Sequence, residues 1–424
     1  MSELKKFFML VQQDTITNRI IMLILLCYPA LLLTVNGSMG ILYFLLLIVS
    51  LVCLYNMRAS LHVPHWDGCS IAFAIAMASP VVAIFLSQAY HGNFKAMPYD
   101  WASRFLLCIP IYLALRQTNI RTTSILQLAF PIGTLVGLAV LKLHPYIWLE
   151  DRATTSPAFN LIHFSDTALM LGFLSLFCIN WGRKDHPLIL TLKICAFLAG
   201  VYMSVQSGER GAWLAIPPLL LLWVISHTKK NLALKLSIAT LVVICMAWLS
   251  YSQIGIVHHR VDSIFSDLAS YSNNNNKETS VGARLQLWQA AIKLFINNPI
   301  FGIGPNEFAH AMPSLYAQGM LTPYAAQMGG SEVHNEILEK CADTGLFGLL
   351  AIISVYIVPI FIFWRSTKSS ESTIKYSAFM GIGLVLGFFI FGLTVEIFNL
   401  KMTAAFFSLT LAVLMAEATH KGNH

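Results

Sequence analysis

The chain has 424 residues, of which 57% are hydrophobic and 11% charged, with a mean hydropathy of +0.67. Ordinary soluble domains carry about 25% charged residues, so a soluble globular protein is excluded. The net charge of +7 does not call for nucleic acid, because in so apolar a chain positive charge chiefly sets orientation in the bilayer.

Lys5 and Lys6 open the chain, but Gln12, Gln13 and Asp14 interrupt the apolar run behind them and no small-residue cleavage site follows, which predicts no cleaved signal peptide. Apolar runs predict spans at 20–35, 39–56, 70–89, 102–116, 123–141, 161–180, 187–205, 212–227 and 232–252, then at 346–364, 375–393 and 398–416. With the N-terminus in the cytoplasm, fifteen lysines and arginines fall on inside segments and six on short outside loops, as the positive-inside rule requires. The expected fold is an all-α polytopic membrane protein of about twelve transmembrane helices, with one large periplasmic loop containing short amphipathic helices. Residues 1–252 hold helices one to nine, 253–345 form the periplasmic catalytic loop, and 346–424 hold helices ten to twelve and a cytoplasmic tail. Eight cysteines without CxxC spacing predict neither disulfides nor a cysteine metal site.

Within the loop, 267–280 (DLASYSNNNNKETS) is polar and low in complexity, which predicts a mobile connection. Leu285, Trp288, Ala291, Ile292 and Phe295 recur at helical spacing and predict an amphipathic helix over 283–296, ended by Asn297, Asn298 and Pro299. A further helix is expected from a Ser331 cap to about Asp343, with Gly345 as its stop.

Three outer residues lead the candidates for chemistry. Arg210 sits in QSGERGAW between two predicted spans, where a guanidinium serves equally well as a phosphate ligand or as an interfacial anchor beside Glu209. Arg284 lies at the edge of the apolar face of its helix, pointing to headgroups or into a cavity. His334 is expected third in the Ser331-capped helix, where the dipole favours a neutral imidazole able to act as a base; an interfacial or structural histidine is the alternative. Arg152, Glu209, Asn160, His163 and Asn335 are secondary, substrate-contacting candidates. The chain has no GxxxxGK[ST], no HExxH and no DxD pairing, so neither a phosphate loop nor a metal for a nucleotide sugar is expected. Ionisable residues inside the predicted spans are few, mainly Asp166 and Lys193, which disfavours a proton-coupled transporter.

Three segments carry a family resemblance: SGERGAWLA at 207–215, GARLQLWQAAIKLFINNPIFGIGPNEF at 282–308 and HNEILEKCADTGLFGLL at 334–350. Their order, and a large outer loop before the tenth span, resemble the bacterial O-antigen ligases of lipopolysaccharide assembly, within the superfamily that includes O-antigen polymerases and pilin-glycosylating ligases. The resemblance implies an inner-membrane glycosyltransferase working at the periplasmic face. Its donor would be undecaprenyl diphosphate-linked O-antigen, its acceptor the lipid A-core oligosaccharide, and membrane lipids its surroundings. By the same resemblance His334 would be the base, with Arg210 and Arg284 on the diphosphate. Arginine would supply the compensating charge, so no metal or cofactor is expected, and one base without an enzyme nucleophile predicts inversion at the anomeric carbon. A polymerase or protein-glycosylating ligase shares this pattern, and a lipid or sugar transporter is the alternative of another class.

Overall fold

The computed structural model describes residues 2–59, 66–118, 122–148, 152–157, 159–181, 184–227, 255–273, 276–330 and 332–420, with scattered positions between 231 and 252. Among them, helices α1 (Ser2–Leu32), α2 (Ser38–Ala59), α3 (Gly68–His91), α4 (Tyr99–Gln117) and α5 (Thr122–Leu143) lead to a two-residue antiparallel hairpin. Its strands, Tyr146–Ile147 and Ala153–Thr154, were not expected in an all-α chain. Then come α6 (Leu161–Phe177), α7 (Pro187–Ser207), a 3₁₀ turn (Ala212–Ala215) and α8 (Ile216–His227). Next are α9 (Gly255–Ser272), α10 (Ser280–Asn297), α11 (Phe308–Ala317) and α12 (Pro323–Gly329), followed by α13 (Glu336–Ser366), α14 (Ser372–Gly392) and α15 (Lys401–Ala418).

The chain is an all-α polytopic membrane protein. Seven helices among the described residues are long and apolar enough to span a bilayer, and Ile16–Leu32, Leu161–Phe177 and Ala212–His227 are apolar but shorter. The expected twelve are not reached on length and composition, because α4 carries Asp100, Arg104 and Arg116 and the expected span 232–252 lies mostly outside the described residues. The most apolar windows of α14 and α15 are 72% and 83% buried, against 33% for α2 and α7. The last two helices are therefore central, together with α6, in which every residue but Ile162 is buried, whereas α2 and α7 are the more outward-facing. Close approach replaces the hydrophobic effect in holding such helices together. Gly172 and Gly200 let α6 and α7 touch, a Cβ on Gly200 falling 2.7 Å from Gly172 Cα. Lys193 is fully buried but satisfied, donating to Cys178 O at 2.6 Å and Asp185 at 2.8 Å.

Three local expectations are corrected. Residues 267–272 are the end of α9, not a mobile connection: no glycine or proline interrupts the chain between Gly255 and Ser272, and the asparagine run ends the helix. The α10 helix forms, capped by Thr279, but its buried face is Ala283, Leu287, Ala290 and Ala291, whereas Ile292 is exposed. Small residues let α10 lie close to α12, whose Gly329 stands against Leu287. Finally, α13 begins at Glu336 with Asn335 as its cap, and Ser331 lies outside the described residues. Asn335 Oδ1 accepts from the amides of Ile337 and Leu338, both at 3.1 Å, which satisfies first-turn donors. Gly345 does interrupt the helix, with φ 66° and ψ −146°.

Candidate active site

The segment 332–336 is laced to the turn 393–400 between α14 and α15. Glu332 Oε2 accepts from the Glu396 amide at 3.3 Å, the Val333 amide donates to Glu396 Oε1, Asn335 Nδ2 donates to Leu393 O at 3.2 Å, and the Phe398 amide donates to Glu336 Oε2 at 3.0 Å. Aromatic packing fixes the turn itself. The Phe398 ring lies 4.9 Å from Phe105, 5.0 Å from Phe407 and 5.9 Å from Phe388, contacts that add to simple area burial.

On this frame His334 stands outside the helix, one residue before the cap, and not in its first turn. Its φ is 58°, a region that non-glycine residues enter rarely and often at functional sites. The indole of Trp288 on α10 donates to His334 O at 3.3 Å. His334 is 7% exposed. Its Nδ1 lies 2.8 Å from Glu332 Oε1, and its Nε2 has no hydrogen-bond partner. Burial pushes the Glu332 carboxyl up, but the contact and charge of His334, then His163 and the Glu396 amide, outweigh burial and hold it below the usual range. Glu396 goes the other way: burial, and then the neighbouring Glu339 and Glu332 carboxylates, push it well above.

The first turn of α6 supplies the opposite wall. Asn160 caps the helix, accepting from Ile162 N at 2.9 Å. His163 is buried, with Nε2 3.4 Å from Glu396 O and Nδ1 unpartnered. Three residues on, Asp166 is enclosed with neither carboxylate oxygen hydrogen-bonded, within electrostatic reach of Glu209, Glu332 and Arg284. Arg284 lies one turn before Trp288 on α10, its Nε buried without a hydrogen-bond partner. The 207–211 connection closes the neighbourhood. Gly211 packs so tightly on Thr394 that a Cβ would collide with the hydroxyl, Glu209 pairs with Arg152 at 2.9 Å, and Arg210 Nη1 donates to Ser263 Oγ on α9 at 2.5 Å.

Elements far apart in sequence thus bring His334, His163, Asp166, Arg284 and Glu209 into one region, with Arg210 and Arg152 attached through the Glu209 connection. The amides of Asn160 and Asn335 are engaged in capping. Glu332 and Glu396 escaped sequence reasoning; the available signal was a lone carboxylate in TVEIFNL, a short turn between apolar helices. No group of three or more histidine, cysteine or acidic side chains among the described residues is arranged to hold a metal.

The O-antigen ligase family model matches residues 194–353, a stretch containing Arg210, Arg284 and His334. An O-antigen ligase of Escherichia coli is 25% identical over 218 residues, 51% of each chain. Over this stretch the chain is similar to the O-antigen ligases. Another relative, an uncharacterized protein of Haemophilus influenzae, is 27% identical over 291 residues, 67% of this chain and 70% of the relative. The alignment spans about half the length of the Escherichia coli protein, and the stretch matched by the family model excludes Arg152, Asn160 and His163 on the opposite wall.

Proposed function

We propose that this protein transfers a glycan from undecaprenyl diphosphate to the lipid A-core oligosaccharide at the periplasmic face of the bacterial inner membrane, with both lipids entering from the bilayer. The observation that carries the reading is the buried imidazole of His334, its Nε2 unpartnered, beside unsatisfied polar groups that include the Arg284 guanidinium. A buried polar group without a partner is costly, and such groups gather where a substrate completes them.

In this reading His334 Nε2 takes the proton of an acceptor hydroxyl as its oxygen attacks the anomeric carbon. The carbon–oxygen bond to the diphosphate breaks, and its electron pair leaves on the phosphate. Arg284 and Arg210 bind the phosphate oxygens and meet the charge that develops there. Direct attack inverts the anomeric centre. Arginine supplies the compensating charge, so the scheme needs no metal.

The test is transfer by the purified full-length protein in vesicles holding the glycan-diphosphate lipid and lipid A-core. His334→Ala should bind donor normally and lose about 10²–10⁴-fold in transfer, as expected for a general base. Near-normal turnover would remove that role. Extension of one lipid-linked repeat by another would make the protein a polymerase, modification of a supplied pilin a protein ligase, and lipid movement without a new glycosidic bond a transporter.

A further inference from the structure

Glu332 is held at both ends of its carboxylate: Oε2 accepts from the Glu396 amide at 3.3 Å, and Oε1 stands 2.8 Å from His334 Nδ1. The turn that supplies that amide also grips Val333, Asn335 and Glu336, so the carboxylate cannot drift from the ring. We propose that Glu332 is a positioning residue for His334, keeping the proton on Nδ1 so that the Nε2 lone pair faces the acceptor, and stabilising the imidazolium that forms when Nε2 takes the acceptor's proton. This deepens the reading of His334 as the base and rests on it.

A base oriented by a third group is a general arrangement, because a ring nitrogen committed to a carboxylate defines which nitrogen remains free. Other charged groups face this pair. His163 and Asp166 do so from α6, and Glu396 from the 393–400 turn, with Glu339 of α13 behind it. Arg284 of α10 and Glu209 of the 207–211 connection reach the same ground through Asp166. Among the ion pairs of the described residues, Glu332 is the carboxylate in direct contact with His334. The low-lying carboxyl of Glu332 is consistent with a permanent negative charge beside the ring.

Glu332→Gln keeps an oxygen for the Glu396 amide and removes the charge. In vesicles, turnover should fall about tenfold or more with the donor KM unchanged, since small misplacements of a catalytic group cost up to ~10²-fold. A carboxylate beside a base favours its charged form, so removing the charge should move the acid limb of the pH–rate profile to lower pH. Glu332→Asp should return the limb to its wild-type position. Wild-type turnover and an unmoved limb in a folded Glu332→Gln protein would overturn the proposal. Should that variant not fold, Glu332→Ala decides: reduced turnover at constant donor KM with a moved limb supports the role, and wild-type turnover with an unmoved limb overturns it. Parallel measurement of His334→Ala separates the two readings. An active His334→Ala protein ends the base assignment, whereas an inactive one alongside a wild-type Glu332→Gln profile ends only the role of Glu332.

Discussion

Two buried charge clusters are built on opposite principles. At the N-terminus of α3 Arg116 grips Asp67 with both terminal nitrogens, at 3.1 and 2.6 Å, and gives its Nε to Thr419 O at 3.1 Å. Asp67 also accepts from the amide and hydroxyl of Ser70 at 3.0 and 2.8 Å. Burial pushes the Asp67 carboxyl up, but Arg116 and Ser70 win and hold it far below its usual range. The second cluster surrounds His334. There Asp166, His163, His334 and Arg284 each keep buried atoms without hydrogen-bond partners. A saturated network has nothing left to offer a ligand and serves the fold, whereas an unsaturated one stores binding capacity at the cost of stability.

Substitutions at the two clusters should therefore fail in different ways. The largest stability effect is expected for Arg116→Met, which strands Asp67: a loss of about 3–5 kcal/mol, read as a lower Tm in detergent, with normal activity per folded molecule. An unchanged Tm would break the contrast at its saturated end. At the other cluster, Arg284→Lys and Arg210→Lys keep the charge but lose the planar fork. Donor binding and transfer should weaken about 10–10²-fold, the worth of a charge-assisted hydrogen bond, with Tm unchanged; tolerance of lysine at both would make them interfacial anchors. Gly211→Ala forces a methyl group into Thr394 and displaces the turn bearing Glu396, costing about 1–3 kcal/mol as overpacking does. A silent substitution would mean that this turn does not depend on the 207–211 connection. Asp166→Asn should leave stability within ~1 kcal/mol of wild type or raise it while lowering transfer, and a clear loss of stability would make Asp166 structural. The smallest expected effect is none: excess EDTA should leave transfer unchanged, and activity restored by added Mg²⁺ or Mn²⁺ would overturn the arginine-only account of charge compensation.

Hydropathy made the membrane class legible, and the 3.6-residue period located α10 because Leu285, Trp288 and Ala291 repeat along it. The face that α10 buries was not legible: it is set by close approach of small residues, Ala283, Ala290 and Ala291, whereas pattern reading weights large apolar ones. The α13 cap was missed because Ser331 and Asn335 both suit that place and the tertiary lacing of 332–336 decides between them. The frame that holds the His334 segment was illegible for a related reason. Glu396 follows it by more than 60 positions, and its role exists only because α14 and α15 bring their turn beneath the loop. Nothing local in TVEIFNL marks that meeting.

The break at Gly345 also acts as a ruler. As one piece, the 31 residues of α13 would measure ~46 Å at ~1.5 Å per residue, too long for a hydrocarbon layer of ~30 Å without steep tilt. The reversed φ divides it. The amides of Ile303 and Gly304 take up the carbonyls of Ala342 and Asp343 at 2.9 Å, and Leu346 N returns to Pro299 O at 2.8 Å. The break therefore leaves no dangling backbone at a depth where water is scarce. Beyond the glycine, α13 continues for about 21 residues or ~32 Å, close to one bilayer core. The break divides the charged stub with Glu336, Glu339, Lys340 and Asp343 from that apolar stretch. The distance of His334 from the apolar stretch is thus set by a length, counted in helical turns from a single glycine.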